Sequence, residues 1–365
     1  MESLLQSSEL QAHLVLALAG LSSAYIALAR PTLTHRRNAA NTKHKAASNG
    51  SAPGSGSDSS HGSPPATLFE AGCSPALSST TLAAMRAVLA IYIFTLGGLQ
   101  LSKLGGFVFK FYTIWNWWLL GLYFALAAVA SALCARAEKA AAAATTVGTR
   151  ASTVADGSAQ QRGPEGATST GDRKQEQQQQ PAAAWLHRAT PLSRACHALF
   201  MVNSSTVVIV DVVCWAVLYP MLSRGPQTEE VTRIIRRLLL SFTSYNQHGL
   251  NALFIFCDLL ANRQRLAFHA VGPLGLWSLA YSGWAHAWHA MSGNWLYPFL
   301  DTSKPWAPVA YLGLYAVHWL AFGLVALLYR VKGALYDRFG VSYGAPEVQE
   351  SSQEEVYGVV RAKKD

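Results

Sequence analysis

Apolar residues in this chain gather into runs long enough to cross a bilayer, and polar residues gather between them. A hydrocarbon core about 30 Å thick is spanned by ~20 apolar residues at 1.5 Å of helical rise each. Residues 10–29, 82–102, 111–134, 195–222, 238–261, 266–290 and 306–329 meet that length. The first run is separated from the others by a low-complexity stretch, and the remaining six follow one another as a bundle would. The pattern predicts an all-α fold: a polytopic membrane bundle of six transmembrane helices, one extra N-terminal apolar helix standing apart from it, and two disordered inserts.

The polar intervals set the organisation. Residues 30–80 carry SNGSAPGSGSDSSHGSPP, and residues 135–187 open on an alanine run and later read DRKQEQQQQPAAA. The alanine run can take up a helix. The Gly, Ser, Thr and Gln around it offer too little apolar surface to offset the entropy of ordering. The chain therefore divides into an N-terminal helix (1–29), a disordered linker (30–80), a six-helix bundle (81–332) with its insert at 135–187, and a polar tail (333–365). Glu2 and Glu9 precede the first apolar run where a cleaved signal peptide would carry basic residues, which favours a signal-anchor or an added span.

Composition sharpens this picture. Apolar residues make up 51% of the 365 and charged residues only 13%, about half the ~25% of a soluble domain. A soluble enzyme is disfavoured. The net charge of +9 does not point to nucleic acid, because the basic residues lie between the apolar runs and form no stripe. Taking 30–80 as cytosolic puts most of the 29 basic residues inside, leaving Lys103, Lys110, Arg224, Arg233, Arg236, Arg237 and Lys304 outside. Both ends of the six-helix bundle then face the cytosol, in the endoplasmic reticulum or the plasma membrane. The five cysteines show no CxxC spacing, so neither a disulfide framework nor a zinc site is expected.

Polar groups inside lipid are costly, and each asks for a reason. The densest cluster is TSYNQHGLN at 243–251, within the 238–261 run. It reads either as hydrogen-bonding glue between helices or as the lining of a functional cavity. Asp211 and Asp258 are intramembrane carboxylates, and either is placed to orient His248. His286 and His289 share a helix face, but the chain has too few histidine boxes for a di-metal site. Haem ligation by His248, His269, His286 or His318 is a remote alternative. Trp295, Tyr297 and Pro298 read as a cap that shapes the end of the bundle. Phosphate loops, GxSxG elbows and HExxH are absent from the sequence. Composition and periodicity do not single out Thr113, since a lone membrane threonine normally bonds back to a carbonyl one turn earlier.

Three motifs change that. GGFVFKFYTIWN before one apolar run, QHGLNALF inside a later one and GNWLYPFL after the next, in that order, resemble the androgen-induced protein family. Its members are multi-pass proteins that hydrolyse fatty acid esters of hydroxy fatty acids. The resemblance covers 82–332 apart from the insert; the N-terminal run and the insert depart from it. It implies an intramembrane threonine nucleophile, which falls on Thr113, and a histidine partner, which falls on His248. It also implies a lipid ester as substrate, a membrane setting, and no metal or organic cofactor. Asn251 and Asn246 are the expected oxyanion donors, and Asp258 an expected orienting group. The rival readings are a non-catalytic membrane scaffold or lipid transporter, and a haem-binding redox protein. One geometric demand is severe: with His248 ten residues into its run and Thr113 two into its own, the pair starts roughly 12 Å apart in depth.

Overall fold

The computed structural model describes residues 2–28, 66–156 and 184–341. Expectations for most of the linker, the later part of the insert and the end of the tail lie outside these residues. The described residues contain helices and no strand.

Helix α1 (Glu2–Leu28) is followed by a short α2 (Leu68–Gly72), held by a capping box between Thr67 and Glu70. Helix α3 (Ser79–Leu104) starts at the Ser78 cap and stops at Gly105, whose φ of 71° suits glycine. A 3₁₀ turn (Gly106–Lys110) leads into α4 (Tyr112–Asp156). Helix α5 (Pro191–Val212) continues through a π-helical stretch (Val213–Leu218) and a last turn (Tyr219–Arg224). The short α6 (Glu229–Ile234) runs on as π-helix (Ile235–Leu239). Helix α7 is assembled from Phe242–Tyr245, a π-helical stretch (Asn246–Leu250) and Asn251–Ala261. Helices α8 (Val271–Ser292) and α9 (Ala307–Arg338) complete the bundle.

Five helices are long and apolar enough to cross a membrane: Ser7–Leu28, Ser79–Leu104, Tyr112–Ala143, Pro191–Arg224 and Ala307–Arg338. Their outer faces carry large exposed apolar side chains. On α1 alone Leu10, Leu14, Leu18, Leu21, Tyr25 and Leu28, spaced by threes and fours, point away from the protein. A soluble protein does not tolerate such stripes. The fold is that of an integral membrane helix bundle. The other two apolar runs are helical as well, but differ from plain spans. The run at 238–261 is interrupted, because Ser241 caps a new helix by accepting from the Ser244 N–H. α8 is a continuous helix diluted by Ser278, Ser282, His286 and His289.

Two expectations are corrected. The insert, expected to be ordered only along its alanine run, is helical beyond that run, since α4 continues as far as Asp156; the run itself is helix, as alanine's high propensity allows. Nor does α1 stand apart. It crosses α8 at Gly272 and Gly275, where a Cβ would fall 2.4 Å from the Ala27 nitrogen and 2.0 Å from Ser23 Oγ. Only glycine allows that approach. Ser22 Oγ then reaches the Tyr315 hydroxyl on α9 at 3.1 Å.

Two buried regions hold the bundle. The larger packs α3, α4 and α5 through Ile93, Trp117, Tyr123, Phe124 and Phe200, with Ile255, Leu274 and Phe322 from α7, α8 and α9. Within it lies a charged knot. Arg86 on α3 donates Nε and Nη2 to the two Asp258 oxygens at 2.7 and 3.1 Å, and Nη1 to Ser131 Oγ and the Ala71 carbonyl at 2.8 Å each. The Tyr123 hydroxyl and Asn262 Nδ2 also donate to Asp258, and Lys332 Nζ donates to the Asn262 carbonyl at 2.7 Å. The second region, around Ala12, Tyr281, Ala285, Leu300, Ala307 and Tyr311, joins α1, α8 and α9.

Candidate active site

Between these regions lies a cavity of about 150 Å³, walled by α1, α4, α5, α7, α8, α9 and the α8–α9 connection. Its lining is mostly apolar, and its polar groups are few: Thr113, His248, Ser278, His318, three further serines (Ser22, Ser23 and Ser282) and a set of tyrosines. This is the usual make-up of a site for an apolar ligand with one reactive group.

The local chain explains why His248 reaches it. The residue has φ −132° and ψ 31° inside a π-helical stretch, so the helical ladder breaks there. π-bulges of this kind gather at functional sites. The carbonyl of His248 accepts from Trp215 Nε1, which sits on the π-helical part of α5. The Trp215 ring also stacks on Tyr245 at 5.8 Å. Two irregular stretches thus satisfy each other and fix the imidazole. The late start of α7 removes part of the depth mismatch. His248 lies six residues past Phe242 rather than ten into a continuous span, and Thr113 is the second residue of α4.

Thr113 Oγ1 lies 3.4 Å from His248 Nε2, a long hydrogen bond of the kind that tightens once a substrate is bound. The Val210 carbonyl approaches the ring, but Nδ1 closes no hydrogen bond of ordinary geometry among the described residues. Among the described residues no carboxylate bonds to this histidine.

The other expected residues are elsewhere. Asn251 Nδ2 donates to Asp211 at 3.0 Å, and Asn246 accepts from the Tyr92 hydroxyl and donates to the Phe242 carbonyl. Neither asparagine lines the cavity, because the π-helical turn swings their directions away from that of His248. Asp258 belongs to the charged knot, with both oxygens taken, and does not orient His248. Asp211 is engaged by Asn251 rather than by the histidine.

Tyr297, expected only to shape the end of the bundle, stands closer to the chemistry. Its hydroxyl accepts from the Tyr112 N–H at 3.3 Å, and its side chain lines the cavity with Thr113 and Tyr281. The Tyr281 hydroxyl is committed to the Lys110 carbonyl at 2.9 Å. The sequence signal for Tyr297 was present in GNWLYPFL, but nothing in one dimension aims its hydroxyl at Thr113. His286 bonds to the Ser282 carbonyl and Tyr311, and the ring of His289 stacks on Trp295. Among the described residues no three His, Cys, Asp or Glu side chains converge as metal ligands.

The fold and site together define an integral membrane helix bundle with a hydroxyl–imidazole pair facing an interhelical cavity. Compared with known protein families, with curated proteins and with solved structures, the chain matches none.

Proposed function

We propose that this protein is an intramembrane hydrolase of lipid esters, with fatty acid esters of hydroxy fatty acids as its substrate class. The observation that carries the reading is the approach of Thr113 Oγ1 to His248 Nε2, at 3.4 Å, in an apolar cavity at membrane depth. The resemblance to the androgen-induced family supports the same two residues.

In this reading Thr113 Oγ attacks the ester carbonyl and its proton passes to His248 Nε2. The imidazolium returns the proton to the departing hydroxy fatty acid, leaving an acyl-threonine that water hydrolyses with His248 as base. The developing oxyanion would meet the Tyr297 hydroxyl. Burial holds the Tyr297 phenol up to about 12, so it keeps a proton to donate. The acyl arms would lie along the apolar walls supplied by α1, α5 and α9. Both ends of the six-helix bundle would face the cytosol, in the endoplasmic reticulum or plasma membrane.

Ester turnover in membranes containing the full chain tests this. Thr113→Ala and His248→Ala should each lower turnover about tenfold or more, and the double variant should fall no further, because the two residues act as one unit. A scaffold or transporter would show no turnover in the wild type. Full activity of either single variant would remove the pair from the mechanism.

A further inference from the structure

A second hydroxyl–imidazole pair opens onto the same cavity, and the mechanism above does not use it. His318 on α9 places Nδ1 2.6 Å from the Leu314 carbonyl one turn earlier. A carbonyl only accepts, so the ring proton sits on Nδ1 and Nε2 is left as an acceptor. Nε2 lies 2.6 Å from Ser278 Oγ on α8, which obliges the serine hydroxyl to donate. The Tyr112 hydroxyl, 2.7 Å from the same Oγ, can then only donate to it. Every proton in the chain Tyr112, Ser278, His318, Leu314 is thereby assigned. Ser278 and His318 both line the cavity beside Thr113 and His248.

A serine in a membrane helix ordinarily returns its hydroxyl to a carbonyl of its own helix. Ser278 gives it to an imidazole on another helix instead, and that imidazole is held by a third group. This is the arrangement of an activated nucleophile: hydroxyl, base, and a group that fixes the base's tautomer. It is tighter than the Thr113–His248 pair, at 2.6 Å against 3.4 Å, and its Nδ1 is anchored where that of His248 is not.

We propose that Ser278 is a second acyl-accepting nucleophile of this cavity, with His318 as its general base, for the same class of apolar esters. The proposal rests on the reading of the cavity as an ester site, but not on Thr113. Ser278 Oγ forms a bond to the ester carbonyl carbon while its proton passes to His318 Nε2. The bond from carbon to the alcohol oxygen breaks, and the leaving alkoxide takes that proton as a free alcohol. Water then attacks the acyl-serine carbonyl and gives a proton to His318; the bond from that carbon to Ser278 Oγ breaks, the serine oxygen takes the proton back from the imidazolium, and the fatty acid leaves. The Tyr112 hydroxyl and the Leu314 carbonyl keep serine and histidine in place throughout.

Adduct mapping tests it on the full chain in membranes, using an alkyl fluorophosphonate as the probe and mass spectrometry of the peptides. The phosphorus takes the place of the ester carbonyl and fluoride leaves. The expected result is an adduct on Ser278 in the wild type and in Thr113→Ala, with labelling at 278 slowed at least tenfold in His318→Gln. Glutamine preserves a polar partner for Ser278 but cannot act as a base, and a monodisperse profile on size exclusion establishes that the variant folds. An adduct on Thr113 alone overturns this proposal and leaves the first nucleophile standing. An adduct on Ser278 alone removes Thr113 and supports this one. Labelling at 278 that is indifferent to His318→Gln, or no adduct on 278 in any variant, also overturns it.

Discussion

The charged knot around Asp258 and the polar cavity around His248 lie on one helix, α7, and treat their polar atoms in opposite ways. In the knot every strong group is closed. Asp258 receives Arg86, Tyr123 and Asn262, and Arg86 spends its remaining donors on Ser131 and backbone carbonyls. In the cavity the groups stay partly open: His248 Nδ1 has no bond of ordinary geometry among the described residues, and the Tyr297 hydroxyl, an acceptor from the Tyr112 N–H, belongs to a side chain that lines the open space. Saturation makes a clasp, because a buried charge with all its partners has nothing left for a ligand. Open valence beside a cavity makes a place for chemistry. Burial and polarity alone do not separate the two regions. The count of unmet hydrogen bonds does.

The largest effect should come from opening the clasp. Asp258→Ala leaves Arg86 buried without its counter-charge, and breaking such a pair costs about 3–5 kcal/mol. Thermal unfolding and size exclusion should show loss of the folded protein, whatever is done at Thr113. A folded Asp258→Ala protein that has lost only turnover would move the knot into the site and break the comparison. Next comes the wall between α1 and the cavity. Gly272→Leu puts a Cβ where the Ala27 backbone now sits, 2.4 Å away, so α1 should be displaced. Ser23→Cys, a position buried against α8 on the parent background, should then react faster with a thiol reagent.

Smaller effects sharpen the cavity side. Tyr297→Phe removes one hydroxyl beside Thr113 and should lower turnover about 100-fold with little change in KM, as loss of an oxyanion donor does. A change below about threefold would return Tyr297 to a role in shape only. Asn246→Ala should be the mildest, because that side chain serves Tyr92 and the Phe242 carbonyl outside the cavity. Turnover within about threefold of the parent is expected, and a loss as large as that of Tyr297→Phe would restore the asparagine as a donor.

Much of this was legible in one dimension, and the failures share a cause. The apolar runs gave helices, since a run of that length in lipid must satisfy its backbone internally. The polar stretch 243–251 read as helix glue or as the lining of a cavity, and its His248 does line one. What the pattern could not carry was direction. In a regular helix Asn251 shares a face with His248, which is why it was expected as an oxyanion donor. The π-helical turn rotates that face, and Asn251 meets Asp211 instead. Asp258 looked like an orienting group for the same reason, yet its partner Arg86 lies 172 residues away in sequence.

The sequence by itself determined which segments enter the membrane and which stay polar, because hydropathy over ~20 residues is a property of the residues alone. Thr113 and His248 came forward through three motifs read as a resemblance, and their meeting at 3.4 Å was decided by the fold. Only the tertiary structure decided that α1 walls the cavity, since a close approach depends on two glycines of α8 meeting α1 at the right height. Only it brought Ser278 to His318 and Tyr297 to Thr113. Those meetings join helices with no sequence relation to one another. A hydrogen bond exists only where packing sets donor and acceptor within about 3 Å in the right orientation, which no pattern along a single chain encodes.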